Sequence, residues 1–148
     1  MRIAIALLTI SFLSSPAFAQ TSADEKAIRE AIAKADTTGQ RPFTKDRIFW
    51  SAAYKRPFVG EEQGVESPDP GTTFAERKDG SQRTKTTVKR IEIAKSGDLA
   101  YEYSDTELSF DLKNGRHVVL PSATLRAWRK EAGQWKIAAL FQPLIEKE

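Results

Sequence analysis

The chain has 148 residues, of which 40% are hydrophobic and 29% charged, and this length and composition are typical of one globular domain. It contains no cysteine and a single histidine, His117. Disulfides, thiol nucleophiles, cysteine zinc sites, iron–sulfur clusters and multi-histidine metal centres are therefore excluded. The net charge of +3 is too small to imply a polyanionic partner by itself.

Residues 1–19 have the three-part pattern of an export signal. Arg2 supplies the positive start, residues 3–13 form a mostly apolar run, and Ala17-Phe18-Ala19 fits the small-x-small cleavage rule. The run is shorter than the roughly 20 residues that a membrane span needs. We therefore expect a cleaved signal peptide, a secreted or periplasmic location, and a mature chain that begins at Gln20 and has no membrane span. An uncleaved anchor or a buried helix is the alternative.

The first part of the mature chain is predicted to be helical. Ser22-Ala23-Asp24-Glu25 has the form of a capping box, and apolar residues follow it at helical spacing, which predicts a helix from about Asp24 to Asp36. A short second helix is predicted around Phe43–Trp50, followed by an edge strand or an extended link. Residues 61–84 are rich in proline and glycine, so we expect this segment to be the loosest, and either mobile or functional.

The remainder of the chain has the pattern of an antiparallel sheet. Strands with turn glycines between them are predicted over Thr86–Ala94, Leu99–Leu112, Arg116–Lys130 and Gln134–Gln142. In the second of these strands, Leu108 and Phe110 lie on the face opposite to Leu99, and this change of apolar phase predicts a bulge near Ser104–Asp105.

Alternation along the last strand predicts a surface for self-association. Trp135 and Ile137 should face one side of the sheet, with Ala139 on the same side, whereas Ala138 and Leu140 should face the other. Apolar sheet surface is costly to leave wet. We therefore expect a homodimer with two-fold symmetry.

Two hairpin motifs resemble those of a known superfamily. Ser96-Gly97-Asp98-Leu99-Ala100-Tyr101 is similar to one hairpin, and the segment from Leu125 to Ile137 is similar to another, in the SnoaL-like branch of the nuclear transport factor 2-like superfamily. The resemblance implies an α+β fold in which N-terminal helices pack on a strongly curved, cone-like antiparallel sheet, as one domain over residues 20–148. It also implies a hollow wide end, and pairing of two copies through the sheet.

The same resemblance supplies no catalytic residues. The family usually has a third helix before the sheet, and residues 61–84 show no clear amphipathic one. The last strand has Ala139 and Phe141 where some relatives carry histidines. His117 follows a hairpin turn and is expected at the surface. Glu102, Asp105 and Glu107 show no metal-ligand spacing; they are interpreted as a solvated strip, or as acid–base groups if they are buried in an apolar cone.

Three functional interpretations remain open. The first is an exported domain without catalysis that binds a small apolar or aromatic ligand in a cone-shaped pocket, or a protein partner. The second is an isomerase, dehydratase or hydrolase that uses pocket carboxylates or His117, and the third is an interaction module that uses the outer sheet face. No metal, cofactor or nucleic-acid partner is predicted.

The pocket is predicted from four residues, Trp50, Tyr54, Tyr103 and Arg126. Trp50 and Tyr54 would share a face if their segment were helical, and an arginine on a strand is costly unless it is paired, exposed or bound to a ligand. The pocket requires Arg126 to lie on the same side of the sheet as the first helix. The alternative is that Arg126 points outward, to solvent or to the dimer partner.

Overall fold

The computed structural model describes residues 16–67 and 76–145, so the predicted export signal up to residue 15 lies outside it. Within these residues one helix, α1 (Pro16–Thr38), precedes six strands. The strands are β1 (Phe43–Ser51), β2 (Phe58–Val59), β3 (Arg83–Ile93), β4 (Leu99–Asp111), β5 (His117–Glu131) and β6 (Gln134–Gln142).

The six strands form one curved, unclosed sheet with the order β2-β1-β6-β5-β4-β3. Neighbouring strands are antiparallel, except that β1 runs parallel to β6. The predicted fold class is confirmed: this is an α+β fold with an N-terminal helix on a curved sheet. The last four strands lie within three residues of their predicted bounds because their hairpins are local in sequence.

The second predicted helix is wrong, because Phe43–Ser51 is strand β1. Aromatic and β-branched residues such as Phe49 and Ile48 favour a strand, and β1 finds partners on both sides, β2 and β6. The first helix is longer than predicted, since α1 begins at Pro16 and continues through Ser22. The Ser22–Glu25 capping box is therefore inside the helix and does not form its first turn.

The bulge predicted in β4 lies in its neighbour β3 instead, between Val88 and Arg90. The even-numbered residues of β4 stay on one face along its length, and they include Ala100, Glu102 and Phe110. The apolar residues change face along β4 for another reason. The face that carries the even-numbered residues is polar in the middle of the strand, whereas Leu99 and Tyr101 are exposed on the opposite face.

A bulge in β6 overturns the predicted position of Leu140. Trp128 pairs with Ile137 and Ala127 pairs with Ala139, so Ala138 is one extra residue in β6. After the bulge the alternation shifts by one, and Leu140 joins Ile137 in the buried core. Leu140 is fully buried and cannot take part in an interface on the outer surface.

Two aspartates fasten α1 across one face of the sheet. Near the start of the helix, Asp24 Oδ1 accepts hydrogen bonds from Lys130 Nζ at 2.7 Å and from Trp135 Nε1 at 3.1 Å. Near its end, the Asp36 carboxylate accepts bonds from the Thr86 amide at 2.7 Å and from the Thr86 hydroxyl at 2.8 Å. We call the face covered by α1 the inner face and the opposite one the outer face.

Candidate functional site

The structure distributes the four predicted pocket residues over both faces of the sheet. Arg126 lies two residues before Trp128 in β5 and therefore faces the same side of the sheet. Trp128 belongs to the core cluster that includes Ile28 and Ile32 of α1, so Arg126 lies on the helix side. Tyr54 packs against the same core. Trp50 and Tyr103 follow core-facing residues of their strands by one position and therefore lie on the outer face. The four residues do not meet at one place.

A buried ion pair holds Arg126 on the inner face. Arg126 Nη1 donates to Glu102 Oε2 at 2.7 Å, and Ser104 donates its hydroxyl to the same carboxylate. Glu102 is 0% exposed and Arg126 is 3% exposed. Burial raises the pKa of Glu102, and the nearby Arg126 opposes that rise. The two charges neutralise each other, so Glu102 acts here as the partner of Arg126.

A cavity of about 80 Å³ lies on the inner side of the sheet. Since one water takes about 30 Å³ in the liquid, the cavity has room for about three water molecules. Its apolar lining residues are Phe49, Ala52, Ala53, Tyr54, Leu108, Leu120 and Leu144. Its polar lining residues are Arg41, Ser51, Arg77, Gln82, Ser122 and Gln142. Apolar walls with a few polar groups are characteristic of small-molecule sites.

Tyr54 is held in the cavity wall by aromatic packing. Its ring meets Phe49 edge-on at 5.7 Å between centroids, and Phe58 at 5.0 Å. Gly64 lies so close that a Cβ at this position would collide with the Tyr54 ring. Burial and then the nearby Glu66 raise the pKa of Tyr54. The phenol therefore stays protonated at neutral pH and can both donate and accept a hydrogen bond.

Two arginines supply the charge of the cavity. Arg77 is buried, stacks on Phe110 with its guanidinium carbon 4.4 Å from the ring centre, and donates from Nη1 to Gln82 at 2.7 Å. Burial lowers the pKa of Arg77. Burial, followed by the nearby Arg126, lowers the pKa of Arg41 to about 10. None of the lining residues that the structure describes is a carboxylate or an imidazole.

Sequence reasoning missed Arg41 and Arg77. Arg77 begins a basic stretch, residues 77–90, in which Arg83, Lys85, Lys89 and Arg90 are exposed. No residue pattern separates Arg77 from them. It is buried because an isolated backbone bridge to Leu112 brings it to the sheet.

The other candidates for chemistry lie away from the cavity. His117 is exposed, and its Nδ1 is 2.8 Å from Asp111 Oδ1. Asp105 is half-exposed and pairs with Lys89 at 2.9 Å. Over residues 16–67 and 76–145, no group of three or more histidine, aspartate or glutamate side chains is placed to hold a metal ion.

The outer face carries a continuous apolar strip across four strands. Trp50, Phe141, Leu125 and Tyr103 are successive neighbours across β1, β6, β5 and β4. A second row, two residues further along the strands, consists of Ile48, Ala139, Ala127 and Tyr101. Leu125 is 48% exposed and Tyr103 is 42% exposed. None of the helices described is long and apolar enough to cross a membrane.

Solved structures with this fold include several kinds of protein. A ketosteroid isomerase-like protein from Erwinia carotovora atroseptica is 19% identical, with a TM-score of 0.57 over 90% of this chain and 99% of that one. A type 2 hexachlorocyclohexane dehydrochlorinase, LinA, is 14% identical, with a TM-score of 0.56 over 86% and 95%. The association domain of C. elegans CaMKII is 16% identical, with a TM-score of 0.55 over 87% and 98%.

These likenesses establish the fold. No protein-family model matches the chain, and no curated protein matches it at a significant level. The structural neighbours confirm the fold that the resemblance of the two hairpin motifs implied. The same fold carries an isomerase-like protein, a dehydrochlorinase and an association domain, so function has to be argued from this chain's own residues.

Proposed function

We propose that the protein is an exported, non-catalytic binding domain that takes a small molecule with an apolar or aromatic part in the cavity beside Tyr54. The observation that carries the proposal is the composition of the cavity wall. Leucines, alanines and aromatic residues make up seven of the thirteen described lining residues, and Arg41, Arg77 and Ser122 are among the six polar ones. The described lining lacks the carboxylate or imidazole that general acid–base chemistry uses most often.

The enzyme alternative depends on Glu102, a buried acid with a raised pKa. Such groups are candidates for catalysis when they face a cleft. Glu102 is instead fully buried, bonded to Arg126 and Ser104, and does not line the cavity. A reaction through Glu102 would have to break a buried ion pair, whereas binding beside Tyr54 leaves the pair intact. Binding is therefore the better supported function.

Filling the cavity tests this proposal. Ala52 lines the cavity and Ala33 is exposed on α1, so Ala52→Phe and Ala33→Phe form a matched pair. We expect a panel of small aromatic fragments, titrated by ¹H–¹⁵N NMR, to lose about tenfold or more in affinity in Ala52→Phe, because the ring occupies their space. Ala33→Phe should bind as the wild type does. Fragment binding that is unaffected by Ala52→Phe would contradict the proposal.

A homodimer through the outer face is the second part of the proposal. The strip of Trp50, Phe141, Leu125 and Tyr103 is apolar and open, and one structural neighbour is itself described as an association domain. A two-fold axis near Leu125 would place the same strip on both sides of the contact. The second copy would thereby remove apolar surface from water.

Light scattering tests the dimer. We expect about twice the monomer mass for the wild type and a lower mass for Leu125→Lys, because a charge would be placed in the apolar contact. Val65→Lys, at a similarly exposed position outside the sheet, should keep the wild-type mass. A monomer at high concentration would rule out the dimer.

Export is proposed from residues 1–19 alone. N-terminal sequencing of protein from the native host should give Gln20 as the first residue, whereas retention of Met1 would contradict cleavage.

A further inference from the structure

We propose that Asp36 closes the free edge of β3 against the addition of a further strand, and that the strand it excludes is β3 of a second copy. Strand β3 is 11 residues long and lies at one end of the strand order, beside β4. A sheet edge of this length presents backbone N–H and C=O groups to which another strand can bond. This edge is separate from the cavity and from the outer face, so the inference goes beyond the proposed function.

The amide of Thr86 points to the free edge of β3 and is bonded there by α1. It donates to Asp36 Oδ2 at 2.7 Å, and the Thr86 hydroxyl donates to Asp36 Oδ1 at 2.8 Å. Successive residues of a strand direct their backbone groups to opposite sides, so those of Thr84 and Val88 share this edge with Thr86. The Asp36 carboxylate therefore occupies the position that a carbonyl oxygen of an added strand would take.

Asp36 stands at a position where a carboxylate does not favour its own helix. It lies in the last turn of α1, which ends at Thr38, and the partial negative charge at a helix C-terminus disfavours an acid there. Aspartate is also a weak helix former in general. The two hydrogen bonds to Thr86 therefore account for Asp36 better than helix formation does.

Other features of β3 oppose the same contact. The bulge between Val88 and Arg90 interrupts regular pairing, and bulges are one way in which sheet edges are protected. In a two-fold antiparallel pair of β3 strands centred on Thr86, Arg83 of one copy would lie opposite Lys89 of the second copy. Like charges directly opposite each other weaken a strand pair, and salt screens their repulsion. Association through this edge should therefore become stronger as salt is added.

Light scattering of Asp36 variants tests the inference, in a Leu125→Lys background so that an outer-face dimer does not contribute. We expect Asp36→Ala to approach twice the monomer mass as its concentration rises, and to do so at lower concentration in about 1 M than in about 0.1 M salt. In dilute solution the Thr86 amide of this variant should exchange with solvent about tenfold faster or more, because its bond to a carboxylate is lost. Asp36→Asn keeps an acceptor oxygen for this amide and should stay a monomer.

Asp24→Ala is the matched control, because Asp24 fastens the other end of α1 through Lys130 and Trp135. It should reduce stability without raising the mass. If Asp36→Ala stays monomeric at every concentration and salt, or if Asp24→Ala associates to the same extent, Asp36 serves only to fasten α1 and the inference is wrong. Ile28 and Ile32 hold α1 in the core, so both variants are expected to fold, and their NMR spectra show directly whether they do.

Discussion

Replacing Arg126 with methionine is expected to lower the free energy of unfolding by about 3–5 kcal/mol at neutral pH. The reason is that Glu102, which is fully buried, would lose the guanidinium that neutralises it. Removing both charges in Glu102→Leu/Arg126→Met should recover most of the loss, because no buried charge then remains. Urea denaturation of the two variants and the wild type measures these differences.

The same variant should be sensitive to pH. Burial raises the pKa of Glu102, and Arg126 opposes the rise, so the pKa should rise further in Arg126→Met. An acid whose pKa is higher in the folded chain contributes stability below its unfolded pKa and loses that contribution as the pH rises through its folded pKa. We therefore expect a larger deficit at about pH 8 than at about pH 5. Equal deficits at both pH values, with no recovery in the double variant, would contradict the role of the ion pair.

Replacing Leu140 with lysine should destabilise the protein by about 3–5 kcal/mol or prevent folding, because it removes a buried leucine and introduces a charge into the core. Leu140 is fully buried beside Phe49, with which it pairs across β1 and β6. Leu125→Lys is the matched control on the outer face and should cost no more than about 0.5–1 kcal/mol of monomer stability. Thermal or urea unfolding compares the two variants. Similar losses would mean that the β6 bulge at Ala138 does not determine which face is buried.

The parts of the fold that could be predicted are those whose partners are close in sequence. The β4–β5 and β5–β6 hairpins have turn glycines at Gly115 and Gly133, both with positive φ, and glycine at such positions indicates a hairpin. Strand β1 could not be recognised in this way. It pairs in parallel with β6, whose paired residues lie 91 to 94 positions further along the chain, and its aromatic spacing fits a helix as well as a strand.

The candidate site could be predicted only in part, because residues that are far apart in the sequence meet at it. The cost of an isolated arginine predicted a special environment for Arg126, and the structure supplies Glu102 as its partner. Trp50 was assigned to the pocket on the expectation that its segment is helical, but the segment is strand β1. The sheet places the rings of Trp50 and Tyr103 on its outer face. Arg41 and Arg77 meet at one cavity only through the strand order.

The most direct measurement of the central claim is the location of a bound probe. Intermolecular nuclear Overhauser effects between the ring protons of an aromatic fragment that binds the wild type and the methyl groups of labelled protein would identify the surface that the fragment touches. We expect effects to Leu108, Leu120 and Leu144, which line the inner cavity, and the loss of these effects in Ala52→Phe. Effects to Leu99 and Leu125 on the outer face, with none to the cavity leucines, would contradict it.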